Sequence, residues 1–114
     1  MTFSIEIPTP PSINKRLRRN KFKQIEAAAE VRKWKSKAGL AIKAKTTEKY
    51  DGNVQVNIKT NLRKNADIDN IIKPILDVLQ LGPILNDKQV NKIVVERSDQ
   101  PDKGWSHVEL TGME

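Results

Sequence analysis

Asp67, Asp69 and Asp87 are the residues of this chain best suited to do chemistry, because they are carboxylates in a strongly basic protein. A basic surface attracts phosphate, whereas clustered carboxylates repel it unless a hard cation lies between them. Such oxygen ligands suit Mg²⁺, with Mn²⁺ as a substitute, and a cation held against a polyanion is the chemistry of phosphodiester cleavage. Two of the acids lie in the run Ala66-Asp67-Ile68-Asp69-Asn70, and the third follows Leu85-Asn86. Lys73, four residues after Asp69, shares its helix face and can neutralise charge developing on a phosphate in the transition state. Each residue also has a plainer reading. An Asp-x-Asp pair opening a helix caps it and favours its dipole, with Asp69 as the N-cap. Lys73 then makes an ordinary surface pair, and Asp77, one turn further on, is expected to be its partner rather than a metal ligand. Asn70 either steadies a ligand carboxylate or caps the helix.

The charge is unevenly placed. Lysine and arginine total 21 against 14 acids, for a net charge of +7; residues 1–50 hold 13 basic and 4 acidic residues, residues 51–114 only 8 and 10. The basic half supplies the footprint of a nucleic-acid binder, and the plain alternative is a basic soluble protein. Lys15, Arg16, Arg18, Arg19, Lys21 and Lys23 crowd a loop after the first strand, and Arg63 and Lys64 precede the aspartate pair. Like charges repel, so that loop awaits an anionic partner. Lys15, Arg16, Arg18, Arg19, Lys21, Arg63 and Lys64 are the candidates for gripping a phosphate backbone. Aromatics make up 4% of the chain, too few for a base-stacking platform.

The absence of cysteine excludes disulfides, zinc thiolates and thiol catalysis, and a single histidine, His107, excludes a His-rich metal site. His107 reads as a strand surface residue, and Trp34 and Trp105 as core or interface. No apolar run approaches the roughly 20 residues that span a membrane, and the N-terminus lacks a signal-peptide pattern. An intracellular, cytoplasmic protein without an organic cofactor is expected.

The elements that must position the acids follow from periodicity. One domain over residues 1–114 suits the length. Phe3, Ile5 and Ile7 alternate in a strand over Thr2 to Ile7, which Pro8, Pro10 and Pro11 end. Gln24 to Lys45 forms a long helix with Ile25, Ala28, Val31, Trp34, Ala38, Ala41 and Ile42 towards the core, weakened at Gly39. Asp51-Gly52 marks a turn, and Asn53 to Leu62 alternates as a strand with Val54, Val56, Ile58 and Leu62 on one face. A second helix starts close to Asp69, with Ile68, Ile71, Ile72, Ile75, Leu76 and Leu79 in one stripe; Pro74 must lie in its first turn, and Gly82-Pro83 stops it. Val90 to Arg97 and Trp105 to Thr111 are strands, joined as a hairpin through Asp99 to Gly104. The sum is a small α/β domain, a mixed four-stranded sheet with two helices in β-α-β-α-β-β order. If the strand after Asp87 pairs beside Val54 to Leu62, Asp87 returns towards Asp67 and Asp69, where three carboxylates destabilise one another without a cation.

The run Arg63-Lys64-x-x-Asp67-Ile68-Asp69-Asn70-x-x-Lys73, with an aspartate after a short hydrophobic helix, resembles the RusA family of Holliday-junction resolvases. Pro10-Pro11-Ser12-Ile13-Asn14 resembles that family's opening loop, and the likeness extends over nearly the whole chain. The resemblance implies a homodimeric, Mg²⁺-dependent endonuclease that nicks four-way branched DNA symmetrically in recombination and repair. It places the essential carboxylates on Asp67, Asp69 and Asp87 and the essential lysine on Lys73. Where the family often has two adjacent acids, this chain has Asn86 before Asp87; an amide carbonyl can still serve as a ligand, with less negative charge. Many genes of the family lie in phages and prophages. The rival readings are a non-catalytic nucleic-acid-binding module and a general nuclease of flaps or other branched DNA.

Overall fold

The structure is a computed structural model that describes residues 2–11, 21–45, 48–61, 67–98 and 104–113. Its elements are β1 (Thr2–Pro8), α1 (Lys21–Lys45), β2 (Val54–Thr60), a 3-10 turn (Ile68–Ile71), α2 (Ile72–Leu79), a second 3-10 turn (Asp87–Gln89), β3 (Val90–Arg97) and β4 (Trp105–Gly112). The β-α-β-α-β-β order and the four-stranded mixed sheet match the expectation from periodicity. Across the sheet the strands run β1-β4-β2-β3. β2 and β3 are parallel, and β4 is antiparallel to both β1 and β2.

Alternation decides which face of the sheet is covered. Phe3, Ile5, Ile7, Val54, Val56, Ile58, Val108 and Leu110 are buried in one core with Trp34, Ala38 and Ile42 of α1 and Ile71, Ile75, Val78 and Leu79 of the second helical segment. Both helices therefore lie on one face. The opposite face is polar: one cross-strand row reads Glu6, His107, Lys59, Glu96 from β1 to β3. His107 is half-buried there, away from the helices, in agreement with its reading as a strand surface residue.

The expected hairpin between β3 and β4 does not form. β2 lies between them, so β3 and β4 are not neighbours in the sheet. Pro101 and Gly104 mark a reversal of the chain, and local turn chemistry says nothing about which strand the returning segment joins. The β2–α2–β3 unit is a parallel crossover that takes one edge of β2 and leaves the other to β4.

α1 starts at Lys21, three residues before the expected boundary, because nothing in Lys21-Phe22-Lys23 opposes a helix; Lys21 thus belongs to the helix, not the basic loop. Trp34, Ala38 and Ile42 are buried as expected, and the Trp34 indole donates to the Pro8 carbonyl (2.6 Å). Ala28 is exposed and Val31 only half-buried, while the Ile25 side chain lies outside the described residues. Length explains the difference. A helix of 25 residues is about 37 Å long, whereas the strands beneath reach about 25 Å, so the first turns overhang the sheet. Gly39 has a packing role: a Cβ there would come 2.9 Å from Leu81 Cδ1, so the turn after α2 rests against α1 at this point.

α2 follows the first 3-10 turn directly. Pro74 is its third residue, within the first turn, where no intrahelical N–H bond is lost. The turn beyond α2 is fixed by Leu81 and Gly82 N–H bonds to the Val78 and Leu79 carbonyls and by Tyr50 N–H to Pro83 (2.7 Å). Burial raises the Tyr50 phenol above its ordinary pKa, and a backbone bond at Phe3 offsets part of the effect. No described helix is long and apolar enough to cross a membrane.

Candidate active site

The carboxyl end of β2 is where polar groups gather. Thr60 is buried, and its hydroxyl lies 2.9 Å from that of Ser106, which lies 2.9 Å from that of Thr9. Backbone bonds draw the neighbouring strand ends together: Thr9 to Gly104 (2.9 Å), Asn61 to Trp105 (2.9 Å) and Ser98 to Thr60 (2.8 Å). Asn61 is buried too, and neither its amide oxygen nor its amide nitrogen has a hydrogen-bond partner among the described residues. Sequence reading passes over Asn61, because its residue type after a strand carries no signal of this burial.

Beside that end, a cleft of about 360 Å³ opens between α1 and the start of α2. Asp69, Asn70 and Lys73 line one wall with Pro74 and Asp77; Val31 and Lys35 of α1 line the other, and Pro11 closes the end. Asp69, Lys73 and Asp77 recur every fourth residue, so one helical face carries all three. Helical angle sets this face apart from the buried stripe of Ile71, Ile75, Val78 and Leu79.

The structure narrows the plain roles weighed for these residues, leaving the acids near a helical N-terminus without side-chain cap bonds. Asp67 occupies the N-cap position of the 3-10 turn but its side chain makes no cap bond, and Asp69 lies inside the turn. The N-cap of α2 is Ile71, so neither Asp69 nor Asn70 caps it. Asp77 does not pair with Lys73: it accepts from Lys35 Nζ at 3.1 Å, across the cleft. Lys73 is exposed and, among the described residues, has no ion-pair partner. Lys35 is the residue of this cleft that sequence reading places only among the polar positions of α1. Its partner is 42 residues away, beyond any local pattern.

Asp87 stands elsewhere. β3 does pair beside β2, but in parallel, with Val54 opposite Val90 and Thr60 opposite Arg97. Asp87 therefore lies beside the start of β2, whereas Asp69 lies past its end, about 20 Å away by strand rise. The Asp87 turn is tightly built. Asn86 Oδ1 accepts from Lys88 N–H (2.8 Å), so the amide considered as a ligand serves as the cap. Gln89 Oε1 accepts from the Leu85 and Asn86 N–H groups (2.7 and 3.2 Å), and its Nε2 donates to the Tyr50 and Gly52 carbonyls (2.9 and 2.8 Å).

Asp67, Asp69 and Asp87 are all exposed, and as hard oxygen donors they suit a divalent cation such as Mg²⁺. Their positions divide the set, however. Among the described residues no three side chains of the metal-binding types come together; one chain presents an aspartate pair at one end of the sheet and a single aspartate at the other. Lys15, Arg16, Arg18, Arg19, Arg63 and Lys64 lie outside the described residues, as does the side chain of Lys21. Pro11 and Asn61, which precede those segments, stand at the cleft end of the sheet.

Residues 7–110 match the family model described as Endodeoxyribonuclease RusA. A search of curated proteins found no match.

Proposed function

The chain belongs to the RusA endodeoxyribonuclease family, a family of Holliday-junction-resolving endonucleases, and from that premise we propose that it is a Mg²⁺-dependent homodimer that resolves four-way DNA junctions by paired, symmetric nicks. The observation that carries this reading is Lys73, without an ion-pair partner among the described residues, beside Asp69 on one wall of an open cleft. A carboxylate free of capping, one turn from that ammonium, leaves both groups available to a phosphate and its cation.

The residues would divide the work as follows. Asp67 and Asp69 of one copy would hold the cation together with Asp87 of the other, because one chain keeps the pair and the single acid at opposite ends of β2. When bound, Mg²⁺ would supply Lewis-acid charge for phosphodiester hydrolysis. Lys73 stands where negative charge grows on the phosphate oxygens, and a preplaced charge acts there without reorganisation. Lys35, ion-paired with Asp77, ties the facing helix to α2 across the cleft. Arg63 and Lys64, and Lys15, Arg16, Arg18, Arg19 and Lys21, grip the flanking backbone by charge. A four-way junction has near two-fold symmetry, so two sites related by a two-fold axis cut two strands alike.

Complementation tests this arrangement. Asp69→Asn and Asp87→Asn proteins, each inactive alone, are mixed and re-equilibrated. If the acids of one site come from different copies, half of a random mixture is heterodimer with one intact site, and about a quarter of wild-type nicking returns. Full activity of either single variant in Mg²⁺ would refute the carboxylate site, and a mixture as dead as its parts would refute the shared one.

A further inference from the structure

A second hollow, of about 420 Å³, lies between α1 and the turn after α2. Lys35, Ser36, Gly39, Leu40 and Lys43 of α1 line one side, and Leu81 lines the other. Lys35 alone among these residues also borders the cleft of Asp69 and Lys73. The rest lie further along both helical segments, so a molecule seated here leaves the cleft open.

The walls are apolar. At Gly39 a Cβ would come 2.9 Å from Leu81 Cδ1, so the missing side chain lets the turn rest against the helix and form the floor. Leu40 is the most exposed large apolar residue among those described, at 70%, and Leu81 is exposed at 46%. One exposed leucine is ordinary, whereas two that line a single hollow offer apolar area for a partner to cover.

The rim decides what that partner is. Lys43 is exposed. Lys35 Nζ donates to Asp77 (3.1 Å) and retains further N–H donors. Lys49 Nζ is held at the turn of Leu81 by the Gly82 and Ile84 carbonyls (2.7 and 3.4 Å), which adds another positive charge there. Among the described residues no carboxylate lines the hollow. A second copy docking through the same surface would therefore set lysine against lysine. DNA fits poorly as well. Leucines give a phosphate backbone nothing to bond, and no aromatic among the lining residues offers a base a platform. A peptide with carboxylates around an apolar side chain satisfies both the rim and the walls.

We propose that this hollow docks an acidic segment of a partner protein. An apolar side chain of the segment seats between Leu40 and Leu81, and its carboxylates face Lys43 and Lys35. Charge steers the segment in, and the buried apolar anchor holds it. The inference stands without the nuclease reading, since only Lys35 is common to the two sites.

Fluorescence anisotropy tests it with a short fluorescein-labelled peptide of glutamate and leucine, beside a second peptide with serine in place of each leucine. The wild type should bind the leucine peptide saturably and the serine peptide about tenfold or more weakly, the worth of a buried leucine side chain. Leu40→Ser should weaken the leucine peptide by about tenfold through the same loss. Lys43→Glu should weaken it on the order of tenfold, because attraction becomes repulsion. Both side chains are exposed, and thermal melts alongside should show each variant folded. A wild type that ignores the leucine peptide, binds the serine peptide equally, or loses nothing in either variant would overturn the proposal. Displacement of the leucine peptide by duplex DNA as readily as by its own unlabelled form would assign the surface to nucleic acid and overturn it too.

Discussion

Gln89 offers the sharpest test of how Asp87 is held. Its side-chain amide makes four hydrogen bonds, two accepted from Leu85 and Asn86 and two donated to Tyr50 and Gly52, tying the Asp87 turn to the start of β2. Gln89→Ala deletes all four. A hydrogen bond contributes about 0.5–1.5 kcal/mol net, and because Leu85, Asn86 and Gly52 are exposed and rehydrate, the low end applies, for a total of roughly 2 kcal/mol. At an unfolding entropy of about 2.1 cal/mol/K per residue, that lowers Tm by about 8 °C. Gln89→Glu is the informative companion. It keeps both acceptor bonds but turns an oxygen towards two carbonyls, so it should be no better than alanine. Melts by circular dichroism give the stability, and single-turnover nicking well below both transitions gives the function. There Gln89→Ala should nick about tenfold more slowly, because Asp87 is no longer fixed. A Gln89→Ala protein melting within about 2 °C of wild type would refute the hydrogen-bond argument, and one that is destabilised yet nicks normally would detach Asp87 from the chemistry.

Other expectations follow from the same geometry. Lys73→Ala should cost under about 0.5 kcal/mol of stability, because the side chain is exposed and pairs with no described residue, yet slow single-turnover cleavage by about 10²-fold or more; Lys73→Arg should restore only part of the rate. Junction affinity should fall with salt at a slope of about −5 in log K against log concentration if some six phosphates are contacted, as a fluorescence titration series would show. Gly39→Ala should raise Tm: the helix gains up to about 1 kcal/mol, and the opposing atom, Leu81 Cδ1, ends a half-exposed side chain that can turn aside. A lower Tm would mean that the contact between α1 and the turn after α2 is rigid.

The elements were legible where a pattern is local. Alternation marked Phe3, Ile5, Ile7 and Val54, Val56, Ile58, and four-residue recurrence marked α2, with Pro74 fixing its start near Asp69. That the strand after Asp87 could pair beside β2 was open to sequence reading, but its parallel direction was not. What depended on partners distant in sequence was not legible. Pro101 and Gly104 signal a reversal, but only the occupied edge of β2 decides that β4 joins its far side. Asp77 sits at pairing distance from Lys73 along the helix, yet Lys35 reaches it from another element. The overhang of α1 at Ala28 depends on how far the sheet extends beneath it. In the candidate site, the chemical types of Asp67, Asp69, Lys73 and Asp87 could be read directly. Their division between two ends of the sheet could not, because it follows from the parallel register of β2 and β3.

Cleavage of a mobile four-way junction beside a linear duplex of the same sequence, with and without Mg²⁺, bears most directly on the claim that the cleft between α1 and α2 belongs to a junction-resolving endonuclease. Paired nicks at symmetric positions on opposed strands are expected, only when Mg²⁺ is present, with the duplex left intact. Junction binding without cleavage at any Mg²⁺ concentration, or equal cutting of duplex and junction, would contradict it.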